Sequence, residues 1–277
     1  MKTVALAGGE RVCALGQGTW NMGDHAHARA EEIATLQRGL DLGATLIDTA
    51  EMYGEGNSES LIGAALARRR DEAFIVSKVY PHNASRRAMA SACERSLRRL
   101  KTDRLDLYLL HWSGSVPLAE TVEAFTALQK AGKIRHWGVS NLDLKEIEAL
   151  VALAGGSAVQ TDQVLYNLTR RGIEWDLLPW LRERKIPVMA YSPVEQGRLL
   201  RDPRLIDFAR RYGMTPAQVA LAWLLTADDV IVIPKAATRA HLEHNMLAAD
   251  IQLNDTQRSK LGALFPPPAG AQPLQML

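Results

Sequence analysis

The sequence has few cysteines, no long apolar run and almost no net charge. Cys13 and Cys93 are the only cysteines, and their spacing matches no metal site, so we expect neither disulfides nor a metal centre and favour a reducing, cytoplasmic location. No segment approaches the roughly 20 apolar residues of a membrane span. The N-terminal stretch around Gly8-Gly9 predicts a β-hairpin rather than a signal peptide.

The charge pattern gives no sign of a nucleic-acid surface. The formal net charge is +2, and the arginine clusters 68–70 and 98–99 lie among apolar residues of segments that we expect to be helical. Solvated helix faces explain such clusters. We therefore predict no nucleic-acid partner and no membrane partner, and expect a monomer or a weak oligomer.

No linker rich in Pro or Ser divides the chain, which favours a single domain over residues 1–277. Short apolar segments instead alternate with helical ones, and this alternation predicts a parallel sheet covered on both faces. Eight such units favour a closed α/β barrel of the (β/α)8 TIM type, with an N-terminal β-hairpin and an extra C-terminal helix. The missing Gly-x-Gly-x-x-Gly motif after the first strand counts against a Rossmann domain. The predicted barrel strands are 15–19, 45–47, 74–77, 105–110, 134–139, 159–163, 187–190 and 230–233.

Ten helical segments complete the predicted barrel, and an irregular tail follows them. The tail from Pro266 to Leu277 is expected either to extend over the barrel mouth or to be partly disordered. The predicted helices are 28–42, 58–70, 85–100, 119–131, 144–153, 174–184, 203–211, 216–226, 239–248 and 255–264.

Three neighbouring strands end in groups that can transfer protons. Asp48 and Tyr53 follow one strand, Lys78 ends the next, and His111 ends the third. Barrel enzymes keep their chemistry at this edge. A phenol has a pKa near 10, and a nearby ammonium makes it a better acid by stabilising phenolate. Taken singly, these residues would be a rim tyrosine, a surface lysine and a helix-capping acid.

An ordered series of short motifs, running from near the N-terminus to about Asn245, resembles the aldo-keto reductase family. Within that family the chain is most similar to small bacterial members that reduce methylglyoxal and related aldehydes. The matching residues are Gly18-Thr19-Trp20, Asp48-Thr49-Ala50 with Tyr53-Gly54, Ser77-Lys78, Leu110-His111, Gly138-Val139-Ser140-Asn141, Gln163, Tyr191-Ser192-Pro193 and Ile233-Pro234-Lys235.

The resemblance implies NADPH-dependent reduction of aldehydes and ketones to alcohols. It assigns Tyr53 as the general acid, Lys78 as the group that perturbs its pKa, Asp48 as the partner of Lys78, and His111 as the substrate-orienting group. Without metal ligands or a nucleophilic Ser or Cys, a tyrosine acid suits carbonyl reduction, and the hydride must come from a cofactor. The expected substrate-binding residues are Trp20, Tyr53, His111 and Trp112, although Trp112 could equally be barrel packing.

Candidate cofactor residues follow the later strands. Hydroxyl and amide groups there suit a nicotinamide carboxamide, Tyr191 offers a flat face to the ring, and the loop 192–200 is expected to bind the pyrophosphate. The pattern weakens at the adenosine end, where His241 stands in place of an arginine that the family often has, so Arg239 is a possible substitute. The expected set is Gly18, Thr19, Trp20, Asp48, Ser140, Asn141, Gln163, Tyr191, Ser192, Pro193, Gln196, Gly197, Leu199, Ile233, Lys235, Thr238, Arg239, His241 and Asn245.

The same residues allow other interpretations. Ser140-Asn141 is also an ordinary turn or helix-capping signal, and some relatives bind NADPH on this barrel as regulatory subunits of membrane channels. A metal-dependent barrel hydrolase would need converging His, Asp and Glu ligands, which the sequence does not offer. The short connection 113–117 and the short tail favour an open site that tolerates various small carbonyl compounds.

Overall fold

A hairpin precedes the barrel, as predicted. The structure is a computed structural model that describes residues 2–277. Strands β1 (Thr3–Ala5) and β2 (Arg11–Cys13) pair antiparallel, with Thr3 opposite Cys13. Gly9 turns the chain at φ +91°, a conformation that glycine adopts without steric cost.

Eight parallel strands form the barrel, in the order of the sequence. Its two edge strands close the circle, because the Gly16 N–H donates to the Val232 carbonyl (2.8 Å) and the Gly18 N–H to the Pro234 carbonyl (3.0 Å). The predicted (β/α)8 fold is confirmed. The strands are β3 (Gln17–Gly18), β4 (Leu46–Asp48), β5 (Phe74–Val79), β6 (Leu105–Leu110), β7 (Ile134–Ser140), β8 (Asp162–Leu165), β9 (Val188–Tyr191) and β10 (Val230–Val232).

Helices surround the strands, and two of them, α7 and α10, have the predicted bounds. The helices are α1 (Arg29–Asp41), α2 (Asn57–Ala65), α3 (Arg86–Leu100), α4 (Leu118–Lys130), α5 (Leu144–Val151), α6 (Leu177–Glu183), α7 (Pro203–Arg211), α8 (Pro216–Leu225), α9 (Arg239–Met246) and α10 (Asp255–Leu264). Within residues 2–277, no helix combines the length and the apolar character that crossing a bilayer requires.

Among the boundaries that differ from the prediction, those at the end of α2 and at the start of β8 differ by five and three residues. Helix α2 ends at Ala65, five residues before the predicted end at Arg70. The Arg70 guanidinium instead reaches the buried carboxylate of Asp106 at 2.8 Å, so the prediction of a solvated helix face was wrong for this arginine. Strand β8 starts three residues later than predicted, and just ahead of it the Gln160 side chain accepts the Gly8 N–H of the hairpin at 2.7 Å.

Apolar side chains fill both faces of the sheet. Every residue of β5 and β6 is buried, as expected for central strands of a covered parallel sheet. Behind β6 and β7, the Phe125 ring stacks on Trp137 (centroids 5.2 Å apart) and meets Tyr108 edge-on. This packing fixes the strand ends that carry the polar residues described below.

The tail from Pro266 to Leu277 lies against the barrel without regular secondary structure. Leu274 packs on the main apolar cluster, and Arg170 donates to the Gln275 side chain. Burial raises the pKa of Tyr191 to about 12, and the backbone of Leu277 lowers it by a smaller amount. Of the two expectations for the tail, the extended path over the barrel mouth is the one observed.

Candidate active site

The four predicted catalytic residues converge at one end of the barrel. Asp48 ends β4, Lys78 lies near the end of β5, and His111 follows β6. Tyr53 begins a short 3-10 turn ahead of α2. That turn contains Gly54 (φ +55°), Glu55 (φ +53°) and Gly56 (φ +95°), and this tight backbone brings the tyrosine back over the strand ends.

Lys78 is completely buried and all of its ammonium hydrogens have acceptors. Its Nζ lies 2.8 and 2.9 Å from the two carboxylate oxygens of Asp48, 2.8 Å from the Thr49 carbonyl and 3.2 Å from the Tyr53 hydroxyl. Because a carboxylate and a carbonyl accept its hydrogens, this buried amine is in its charged, ammonium form. Because Tyr53 accepts a hydrogen bond from Lys78, its own O–H is free to donate to another group.

Burial and charge act in opposite directions on these pKa values. Burial raises the pKa of Tyr53 above its usual value of 10, and the attraction of the Lys78 ammonium, which lowers it, is the smaller effect. The expected perturbation by Lys78 is therefore present but does not produce a phenolate. Burial alone lowers the pKa of Lys78, yet Asp48 and Tyr53 raise it further than that, which keeps the amine charged. Tyr53 is therefore a neutral phenol at neutral pH.

His111 is held neutral. Burial, followed by the charge of Lys78, lowers the pKa of its imidazole to about 2. The ring meets the Tyr53 ring edge-on, with centroids 6.0 Å apart, and packs at a tilt against the Trp112 ring, with centroids 4.7 Å apart. Within the described chain its Nδ1 is enclosed without a hydrogen-bond partner. A neutral ring can hydrogen-bond a substrate oxygen without repelling the charge of Lys78.

A hydrogen-bond network continues from the tetrad to β7, β8 and β9. The side-chain amide of Gln163 donates to the Asp48 carboxylate at 2.7 Å. The main-chain carbonyl of Gln163 accepts a hydrogen bond from the Ser140 hydroxyl at 2.7 Å. Asn141, held at φ +58°, donates to the His111 carbonyl and accepts from the Tyr191 hydroxyl at 3.0 Å. These residues, expected to hold the nicotinamide, thus lie beside the tetrad. The donors and acceptors fit a carboxamide.

The loop expected to bind the pyrophosphate follows β9. Ser192, Gln196 and Gly197 have left-handed φ values of +47°, +53° and +86°, and loops of this type can turn successive backbone N–H groups toward an anion. Pro193 is buried, and Leu199 is buried in the apolar cluster that contains α7 and α8. Leu199 therefore offers backbone rather than side-chain atoms to a ligand.

The expected 2′-phosphate site lies at the start of α9. Lys235 is exposed just before this helix, and Thr238 caps the helix by accepting the His241 N–H at 3.3 Å. The guanidinium of Arg239 forms an ion pair with the Glu31 carboxylate, with Nε 3.4 Å from Oε1. A free cation beside a helix N-terminus fits a phosphate group. Asn245 is half-buried and Ile233 is buried.

The last residue of β3 and the two residues after it lie at the other side of the mouth. A Cβ at Gly18 would lie 2.7 Å from the Ile233 carbonyl oxygen, so only glycine fits this close approach to the last strand. Thr19 donates to the Asp48 carbonyl at 2.8 Å. Trp20 follows with 43% of its surface exposed, which leaves its indole available to a ligand.

Sequence reasoning missed an aromatic group beside Trp112. The Tyr80 ring stacks on His82 (4.8 Å) and meets Trp112 edge-on (6.0 Å). Buried Glu51 holds this loop, since its carboxylate accepts the Tyr80 N–H at 2.8 Å and the Asn83 amide at 3.1 Å. Tyr80 stands two residues after Lys78, so the rule that singled out the other strand ends would also have found it.

Known proteins of similar sequence and structure show the family of the chain. A family model described as the aldo/keto reductase family matches residues 14–264. The chain is 48% identical to the methylglyoxal reductase YeaE of Escherichia coli K12, covering 100% of this chain and 99% of that protein. Two structures of an aldo/keto reductase from Klebsiella pneumoniae, one with NADP and acetate and one with NADPH, each have a TM-score of 0.97 and 49% identity over 100% of this chain and 99% of theirs. The chain belongs to the aldo/keto reductase family.

Proposed function

We propose that this protein reduces small aldehydes and ketones, including methylglyoxal, to alcohols with NADPH, and that Tyr53 donates the proton. The observation that carries the proposal is the contact between Lys78 and Tyr53, which leaves the phenolic O–H free beside a neutral His111. The similarity to a methylglyoxal reductase and to reductases with bound NADP or NADPH supports it.

Each residue of the tetrad has a separate task in this reaction. When bound, NADPH supplies the hydride that the carbonyl carbon receives. Tyr53 donates its hydroxyl proton to the carbonyl oxygen, and Lys78 stabilises the negative charge that this leaves on the phenolic oxygen. Asp48 keeps Lys78 charged and fixed. The neutral imidazole of His111 orients the carbonyl by a hydrogen bond.

The cofactor would extend from the tetrad around the barrel mouth to α9. Ser140, Asn141 and Gln163 would bind the carboxamide, and the Tyr191 ring would stack on the nicotinamide. The 192–197 loop would bind the pyrophosphate. The remaining members of the set would hold the riboses, adenine and 2′-phosphate; they are Gly18, Thr19, Trp20, Asp48, Leu199, Ile233, Lys235, Thr238, Arg239, His241 and Asn245.

We also propose that the protein is cytoplasmic, forms one domain over residues 1–277, and is a monomer or weak oligomer. Two free, buried thiols, Cys13 and Cys93, are compatible with a reducing compartment. The hairpin and the barrel share one apolar cluster, which favours a single folding unit. Sedimentation at several protein concentrations measures the oligomeric state directly.

The experiment is to follow NADPH consumption by its absorbance with a panel of aldehydes, ketones and sugars. We expect saturable consumption with methylglyoxal and other small aldehydes, and little activity with sugars in their closed ring forms. If the protein binds NADPH but no carbonyl compound accelerates its oxidation, the proposal is wrong, and a role as an NADPH-binding subunit replaces it.

A further inference from the structure

The loop after β9 has an unusual backbone. Four of the six residues 192–197 have left-handed φ values, and three of them are not glycine: Ser192 (+47°), Glu195 (+52°) and Gln196 (+53°). Residues with a Cβ are strained in this conformation and keep it only when their surroundings hold them. Something outside the loop must therefore fix its shape.

The carboxylate of Glu195 supplies that restraint. This side chain is 5% exposed, although its neighbour Gln196 is exposed. It accepts hydrogen bonds from the amide of Asn167 (2.8 Å) and from the guanidinium of Arg170 (2.7 and 3.0 Å), both in the segment after β8. Arg198 adds a third donor at 3.1 Å. Charge-assisted bonds of this kind are among the stronger polar contacts in proteins.

The same segment also holds the start of the loop. The Asn167 amide donates to the Ser192 carbonyl at 2.9 Å as well as to Glu195, and Asn167 itself is completely buried. Two of the strained residues, Ser192 and Glu195, are thus tied to one buried side chain. Burial raises the pKa of Glu195, but its donors, Arg170 first, lower it further, so the carboxylate stays charged at neutral pH.

We propose that Glu195, held by Asn167 and Arg170, is a positioning residue that pre-forms the 192–197 loop for the pyrophosphate of the cofactor. The inference rests on the proposed function, since it concerns the same cofactor. Glu195 does not contact the phosphates: its negative charge is turned into the protein and neutralised by arginines. Without this restraint the loop relaxes to ordinary backbone angles, and binding must then re-form it. Affinity falls for every cofactor that carries the pyrophosphate.

The test is to measure the dissociation constants of NADPH and NADH for Glu195→Gln and Arg170→Met, by fluorescence titration without substrate. Glu195→Gln keeps the size of the side chain, Arg170→Met keeps an unbranched apolar stem, and each removes one charge of the pair. We expect both cofactors to bind about tenfold more weakly, by the same factor, because the pyrophosphate is common to the two. In steady-state kinetics, the KM for NADPH should rise far more than the KM for methylglyoxal measured at saturating NADPH.

Glu174→Gln is the matched control. Glu174 lies in the same connection after β8, and its carboxylate binds Arg171 (2.7 and 2.8 Å) and the Tyr166 hydroxyl (2.8 Å), but it does not contact the 192–197 loop. We expect this variant to lower the Tm as Glu195→Gln does and to leave both dissociation constants unchanged. A loss of affinity in Glu174→Gln equal to that in Glu195→Gln would reduce the effect to general destabilisation and contradict the inference.

Three further outcomes overturn the inference. Unchanged affinities in folded Glu195→Gln contradict it, and Arg170→Met decides the matter if the first variant does not fold. A loss confined to NADPH would point to the 2′-phosphate instead of the pyrophosphate. A wild-type protein that binds neither nucleotide contradicts the proposed function as well, whereas normal wild-type binding with unaffected variants contradicts this inference alone.

Discussion

The Nζ of Lys78 lies 3.2 Å from the phenolic oxygen of Tyr53, at the centre of a buried chain of polar groups. On one side the lysine is paired with Asp48, and Gln163 continues the chain toward β9. On the other side Tyr53 stands beside His111. Asp48 stabilises the buried ammonium of Lys78, and that ammonium in turn acts on Tyr53. Variants of Lys78 alone and of Lys78 together with Asp48 therefore separate the effect on stability from the effect on catalysis.

We expect Lys78→Met to abolish most turnover and to destabilise the fold. The phenol loses the cation that stabilises its conjugate base, and Asp48 is left as a buried, unpaired charge. Breaking a buried pair in this way typically costs about 3–5 kcal/mol of the free energy of unfolding. Urea denaturation measures this cost, and turnover with methylglyoxal under saturating NADPH measures the catalytic effect.

The double variant Asp48→Asn/Lys78→Met separates the two effects. With no charge left at the site, we expect the free energy of unfolding to recover by about 2 kcal/mol or more relative to Lys78→Met. Turnover should stay low, because the cation is still absent. Recovery of turnover along with stability would mean that Lys78 acts only by supporting the fold.

His111 predicts a pH dependence of stability. Its pKa is lowered to about 2 in the folded protein, against roughly 6.5 when unfolded. Below pH 6.5 the unfolded chain binds a proton that the folded protein does not, so this residue lowers stability as the pH falls. Between pH 7.5 and 5, wild type should lose about 2 kcal/mol more of its free energy of unfolding than His111→Gln does. Equal losses would show that the imidazole is protonated in the native state.

The site at the start of α9 predicts the choice between cofactors. Lys235→Met should weaken NADPH binding roughly 10- to 150-fold, the range for a lost charge-assisted contact, and change NADH binding less than about twofold. Arg239→Met should have a smaller effect, because this arginine already pairs with Glu31. Titration of both cofactors measures the ratio. Equal losses for NADPH and NADH in Lys235→Met would place the 2′-phosphate elsewhere.

The aromatic group beside Trp112 predicts substrate preference. Tyr80→Ala should raise the KM for aromatic aldehydes about 3- to 12-fold, corresponding to the loss of one ring contact. Methylglyoxal has no ring and should be affected less than twofold. Steady-state kinetics with benzaldehyde and methylglyoxal at saturating NADPH distinguish the two. A uniform rise for both substrates would assign Tyr80 to the support of the loop rather than to substrate contact.

The barrel and the tetrad were predictable because both follow from local patterns. Apolar runs marked the strands, and the polar residues at the ends of β4, β5 and β6 had to meet because parallel neighbours end at one edge. What the sequence could not provide were contacts between distant segments. The bond from Gln163 to Asp48 joins residues 115 positions apart, and the bonds that hold Glu195 depend on where the segment after β8 lies.

The net pKa of Tyr53 was also beyond sequence reasoning. A neighbouring lysine predicts a lowered pKa, but burial of the phenol is the larger effect and depends on packing around the whole mouth. Helix α2 shows the same limit on a smaller scale. Its arginines continue a helical pattern, yet Arg70 leaves the helix for a buried acid on β6.

The most direct test of the proposed mechanism is the turnover of Tyr53→Phe with methylglyoxal at saturating NADPH, measured beside the dissociation constant of NADPH. The substitution removes the proton donor and keeps the ring. We expect kcat to fall by about 10²- to 10⁴-fold, the usual contribution of a general acid, with the NADPH dissociation constant within about twofold of wild type. A folded Tyr53→Phe enzyme that keeps a near wild-type kcat would contradict the assignment of Tyr53 as the proton donor.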